Sequence, residues 1–132
     1  MIVVDANVLA YLHLPGPLTP QAQALFTSDP DWAAPVLWRS EFRNVLLSYL
    51  RKDLLSLEEA CSLQREAEDM LAGAEFQVES REVLALARDS RCSAYDCEYV
   101  ALAMHLDAPL ITMDKRVLKA FPKHAMELTR RR

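Results

Sequence analysis

Four carboxylates sit in positions unlike those of ordinary surface acids: Asp5, Glu41, Asp96 and Asp114. Asp5 closes the apolar run Ile2-Val3-Val4 and immediately precedes Val8, Leu9, Tyr11 and Leu12, which recur at helical spacing. Asp114 repeats that arrangement, with Leu110-Ile111 leading through Thr112 and Met113 to the acid and Lys115-Arg116-Val117-Leu118 following it. Asp is also a favoured helix cap, so each strand-end Asp alone fits capping as well as a site. On a helical wheel Asp96 lies in line with Val100 and Ala103, opposite a polar stripe of Glu98 and His105, and Glu98 reads as surface. An ionised group turned toward a core is costly unless paired or bound to a metal. A capping pair within Ser93-x-x-Asp96 is the competing account. Glu41 lies in WRSEFRNVLLSYL, at the margin of an apolar stripe of Trp38, Phe42, Val45, Leu46 and Tyr49, with Arg39 and Arg43 on the other side. A boundary glutamate is ordinarily solvated, and Glu41 by itself carries little.

Taken together the acids define a chemistry. Two negative charges ~4 Å apart repel by about 1 kcal/mol in water and ~4 kcal/mol at an effective dielectric of 20. Carboxylates gathered in one cleft therefore call for a cation or raised pKa values. An all-oxygen set without His or Cys suits hard Mg²⁺ or Mn²⁺, which keep several waters. A cation held in this way can activate a water and stabilise charge on an oxygen. Arg39, Arg43, Lys115, Arg116 and Lys119 flank the acids and are candidates for gripping phosphates, against the plain alternative of solvated helix faces. The terminal Arg130-Arg131-Arg132 is open to the same two readings.

These residues need elements to hold them. The pattern predicts a strand over 2–5, a helix over 6–13, a Pro-Gly-Pro turn at 15–17 and a helix over 20–28. An extended piece from Trp32 to Ala34 leads into a helix from Val36 to Lys52. Ser56 and Glu59 form a capping box for a helix that Gly73 stops. A strand over Glu75 to Val78, a helix capped by Ser80 and a helix from Ser93 through Leu106 follow. Pro109 to Met113 reads as a strand, Lys115 to Phe121 as a short helix and Ala125 to Leu128 as a last strand. Strands alternating with helices imply a parallel sheet covered on both faces. Asp5 and Asp114 then fall at carboxyl ends of strands, the edge where open α/β sheets keep their sites.

Composition bounds the alternatives. A chain of 132 residues, 52% hydrophobic and 26% charged, with a mean hydropathy of −0.02, describes one soluble domain. No apolar run reaches the ~18 residues of a membrane span, and no secretory signal is visible, so a cytoplasmic protein is expected. Cys61, Cys92 and Cys97 lack C-x-x-C spacing and read as reduced, packed thiols. With only Gly16 and Gly73 as glycines there is no phosphate loop. The formal charge of −4 argues against a general nucleic-acid coat but leaves room for a local basic rim.

The segments VVDANVLAYL, SEFRNVL, SAYDCEYVALA and LITMDKR, in that order, resemble the PIN-domain nucleases, and within them the VapC-like toxins of toxin–antitoxin pairs. The resemblance runs over nearly the whole chain; 15–35 and 56–73 add little to it. It implies a three-layer α/β/α sandwich with a parallel sheet in the order 3-2-1-4-5, and it places the family's acidic quartet on Asp5, Glu41, Asp96 and Asp114. Asp5, Asp96 and Asp114 would hold the principal ion, with Glu41 acting through water or on a second ion. Asn7, Asn44, Ser93 and Thr112 fall where such proteins carry small polar residues that support the acids. The implied activity is Mg²⁺- or Mn²⁺-dependent endonucleolytic cleavage of RNA by a homodimer restrained by an antitoxin. The Trp38, Phe42 and Tyr49 series is the helical face expected to meet a second subunit or that antitoxin.

Rival readings are weaker. A receiver domain would need a Lys ending a later strand, which is missing. A dehalogenase-like phosphatase would ask for Asp where Asn7 stands. A catalytically silent PIN-like module that binds RNA or protein is the alternative from another class, and the intact quartet argues against it.

Overall fold

A computed structural model describes residues 1–128. The triple-arginine terminus lies outside the described residues. In chain order the elements are β1 (Ile2–Val4), α1 (Ala6–His13), α2 (Thr19–Ser28), β2 (Trp32–Pro35), α3 (Trp38–Arg51), α4 (Leu57–Met70), β3 (Glu75–Phe76), α5 (Ser80–Arg88), α6 (Ala94–Leu106), β4 (Leu110–Thr112), α7 (Lys115–Ala120) and β5 (Ala125–Glu127). The strands form a five-stranded sheet, β3-β2-β1-β4-β5, with every pairing parallel. This is the expected order. Helices α1 to α4 pack among themselves and α5 packs on α6, giving the layers of an α/β/α sandwich.

β1 and β4 are fully buried, as apolar runs covered on both faces of a parallel sheet should be. Their pairing aligns Val4 with Ile111, so the next residues out, Asp5 and Thr112, emerge side by side. Strand order reverses at this β1–β4 seam. Open parallel sheets leave a crevice at such a switch point.

Local signals account for most helix ends. Ser56 and Glu59 make the expected capping box on α4, and Gly73 adopts φ 80° just beyond that helix, where a side chain would be strained. At α5 the expectation fails. Glu79 is the N-cap and makes no side-chain capping bond, while Ser80 is already helical. The strand expected over Glu75 to Val78 shortens to Glu75–Phe76, and α3 begins at Trp38.

The sequence reading of α6 as one-faced is also corrected. Cys97, Tyr99, Val100, Ala101, Leu102 and Ala103 are all buried, because this helix lies against β1, β2 and β4 and is covered by α5. Glu98 is half-buried beside Val36, Phe76 and Val83 instead of solvated. Of the residues expected to meet a partner, Trp38 and Phe42 are likewise spent inside the molecule, while Tyr49 is half-buried. Trp38 and Phe42 are 0% exposed and meet edge-on at 5.9 Å. The three cysteines are free thiols; Cys92 and Cys97 are buried, whereas Cys61 is exposed. Among the described residues no helix is long and apolar enough to cross a membrane.

Candidate active site

Asp5 leaves β1 and turns directly into α1. Its Oδ1 accepts from the Val8 amide at 2.9 Å, the N-cap bond expected of Asp at this position. Its Oδ2 accepts a short hydrogen bond from the Thr112 hydroxyl across the β1–β4 seam. Thr112 Oγ1 in turn accepts from the Asp114 amide at 3.0 Å, and Asp114 Oδ1 caps α7 through the amides of Arg116 and Val117 at 2.9 and 3.3 Å. One buried hydroxyl thus ties both strand-end aspartates to a common geometry.

The other two acids come from helices. Asp96 is the third residue of a capping box on α6: its Oδ2 accepts from the Ser93 amide at 3.3 Å and its amide donates to Ser93 Oγ at 3.0 Å. Glu41, in the first turn of α3, accepts from the Tyr99 hydroxyl at 2.6 Å through Oε1. The known bonds of Asp96, Asp114 and Glu41 each use a single carboxylate oxygen.

All four acids line one cleft of about 390 Å³, together with Asn7, Ser40, Asn44 and Thr112 on its polar side and Leu37, Val45, Tyr95 and Tyr99 elsewhere. Asn7 and Asn44 are therefore at the cleft, while Ser93 reaches it only by holding Asp96. Among the described residues no Lys or Arg lines it. The electrostatics follow from that composition. Burial, reinforced by the charges of Glu41 and Asp114, pushes the Asp5 carboxyl up to about 6, even though the bonds from Thr112 and Val8 favour its charged form. Glu41 is raised by burial and by Asp96, against the opposing bond from Tyr99. Tyr99 itself is pushed well above the usual phenol range by burial and by its bond to Glu41.

The donor set, oxygen only, fits a hard divalent cation. Yet the acids do not converge: among the described residues no three His, Cys, Asp or Glu side chains are grouped to hold an ion directly. The fit is to an ion that retains part of its water shell, as Mg²⁺ does.

The cationic candidates divide. Lys115, Arg116 and Lys119 are exposed on α7, the helix that Asp114 caps. Arg39 is engaged elsewhere: its Nε and Nη2 grip Glu75 at 2.6 and 2.7 Å, and Nη1 lies 3.5 Å from Glu68. That fork ties α3 to β3 and α4, which corrects the expectation of a phosphate contact. Arg43 faces a groove between α3 and α4, beside Leu46, Leu57 and Arg65, and not the acidic cleft. The sequence reading missed Tyr99 and Tyr95. Their spacing of one and three residues around Asp96 marks the same helical turn, but aromatic residues there read equally as core.

Comparison with known proteins agrees with this fold. The PIN domain family matches residues 2–123, and the chain belongs to it. Ribonuclease VapC3 of Pyrobaculum aerophilum is 27% identical over 124 residues, covering 92% of this chain and 95% of that protein. The crystal structure of PAE2754 from Pyrobaculum aerophilum superposes with a TM-score of 0.73 at 21% identity, over 97% of this chain and 83% of that one. A toxin–antitoxin complex from Klebsiella pneumoniae gives a TM-score of 0.68 at 15% identity, over 97% and 98% of the two chains. The two structural likenesses speak to the fold.

Proposed function

We propose that this chain is a Mg²⁺- or Mn²⁺-dependent endoribonuclease, one PIN-like nuclease domain over 1–132 acting as the toxin of a toxin–antitoxin pair in the cytoplasm. The observation that carries the reading is a cleft lined by four carboxylates and, among the described residues, by no Lys or Arg, in a PIN-domain protein similar to a ribonuclease. A bound ion there supplies Lewis acidity and lowers the pKa of water for attack on a phosphodiester.

The protein's own part is positional. Asp5, Asp96 and Asp114 would hold the ion, with Glu41 a ligand through water or to a second ion. Thr112 orients Asp5 and Asp114, Ser93 orients Asp96, and Asn7 and Asn44 add hydrogen-bonding capacity at the cleft wall. Lys115, Arg116 and Lys119 offer charge for phosphates on either side of the scissile bond. An antitoxin partner accords with the toxin–antitoxin complex among the structural neighbours. A homodimer is the expected assembly, through a face other than the buried Trp38 and Phe42.

The test is direct. Purified protein incubated with total RNA should cut it in Mg²⁺ or Mn²⁺ and stop in EDTA. Cleavage that survives thorough chelation removes the metal mechanism, and RNA left intact in either metal leaves the silent RNA- or protein-binding module.

A further inference from the structure

The cleft has a second character that ion and phosphate chemistry does not use. Along with the acids it is lined by Leu37, just before α3, by Val45 of α3 and by Tyr95 of α6. Tyr95 is 63% exposed, although most of the helix beyond it, from Cys97 to Ala103, is buried. It adjoins Asp96 directly in the chain. A large aromatic ring is thereby held in water, on a rigid helical turn, beside the group expected to engage a phosphodiester. The turn is fixed by the Ser93–Asp96 capping box, so the ring's base is not free to swing.

Nucleic-acid bases present π-faces that stack on such rings without regard to sequence, and unpaired RNA is commonly gripped this way. A phosphate and its neighbouring base lie within a single nucleotide of each other, so a cleft that handles one meets the other. The acidic side of the cleft repels a bare phosphate chain, which makes an uncharged contact to the base the more valuable. We propose that Tyr95 is the nucleobase platform of this cleft, stacking an unpaired base next to the phosphodiester that lies over the acids. The assignment rests on the nuclease reading of the site.

The experiment separates the two claims. Binding of a short fluorescein-labelled single-stranded RNA is measured by anisotropy on the unaltered chain in EDTA, where metal-dependent turnover is absent. Tyr95→Ala should weaken binding about 5- to 150-fold. Tyr95→Phe and Tyr95→Trp should restore it, and Tyr95→Leu should not. Moving a single abasic site along the RNA should reveal one position where wild-type ring and base are lost together, so that Tyr95→Ala adds no further loss there. Mn²⁺ affinity, read by calorimetry on the otherwise unaltered chain, should be unchanged by Tyr95→Ala. RNA binding within twofold of the parent for Tyr95→Ala, or full rescue by leucine, overturns the platform. So does a change in oligomeric mass by light scattering with RNA affinity intact, which makes the ring a protein contact. If the stacking pattern holds but the unaltered chain cuts no RNA, the platform stands and the nuclease reading falls.

Discussion

The first turn of α3 handles two half-buried glutamates in opposite ways. Through Trp38 and Arg39 it neutralises Glu75: the indole Nε1 donates at 2.7 Å and the guanidinium adds its fork. Those bonds hold the Glu75 carboxyl below its ordinary range, the Arg39 bond foremost, despite partial burial. Glu41, two residues beyond Arg39, receives a single bond from neutral Tyr99 and is raised by burial. The protein thus completes one carboxylate from its own side chains and leaves the other, with Asp5, short of positive charge. Buried charge of one sign without a partner is the arrangement found where a group from outside is meant to bind.

The largest expected effect falls on the incomplete side. Asp5→Asn keeps the helix cap, since Asn caps about as well as Asp. It should lower Mg²⁺-dependent RNA cleavage by orders of magnitude in single-turnover assays, and the rise in melting temperature expected of the unaltered chain on adding Mn²⁺ should be lost in the variant. Undiminished cleavage by the variant would return Asp5 to the rank of an ordinary cap.

The second prediction uses pH to sharpen the contrast. The folded Asp5 carboxyl titrates at about 6, against an ordinary value of 3.8. Between those values the native state binds more protons than the unfolded chain, so the contribution of Asp5 to stability falls as pH rises through the window. Metal-free wild type should therefore be less stable than Asp5→Asn by about 2–3 kcal/mol at pH 7.5, at roughly 1.4 kcal/mol per pKa unit. By pH 4 the two should converge. Urea titrations at both pH values measure this; a gap independent of pH removes the buried-charge account. Glu75 has the opposite sign, a depressed carboxyl whose stabilisation is present above its unfolded pKa and lost on acidification.

A third substitution tests the completed side. Glu75→Ala leaves the buried Trp38 Nε1 without its acceptor and releases Arg39, and should cost about 2 kcal/mol in urea unfolding at neutral pH. The smallest effect is expected from Tyr99→Phe, which keeps the ring and removes only the donor to Glu41. It should cost about 1 kcal/mol and weaken Mn²⁺ binding severalfold by calorimetry. Unchanged Mn²⁺ affinity in that variant would confine Tyr99 to packing.

Much of this was legible in the chain itself because the signals are local. Caps and breakers act within a turn, so Asp5 at the start of α1, the Ser56–Glu59 box and Gly73 after α4 can be read from neighbouring residues. Alternation of short apolar runs with helical spacing requires a parallel sheet, and a parallel sheet puts Asp5 and Asp114 at one edge. The strand order came from family resemblance, not from periodicity. Where local signals compete, the reading went wrong. Ser80 looks as good a cap as Ser56, yet the chain enters α5 one residue earlier, at Glu79. A half-polar wheel for α6 overlooked that a helix can be covered both by the sheet and by α5.

The remainder was decided only when distant segments met. Thr112 finds Asp5 across 107 residues because the β1–β4 register sets them side by side. Tyr99 finds Glu41 across 58 residues, and Arg39 finds Glu75 across 36, leaving one carboxylate neutralised and the other not. Nothing in the spacing of a single helix specifies such partners. A side chain's role as cap, core or ligand is set by what packs against it, and for these residues the packing partner lies in another element.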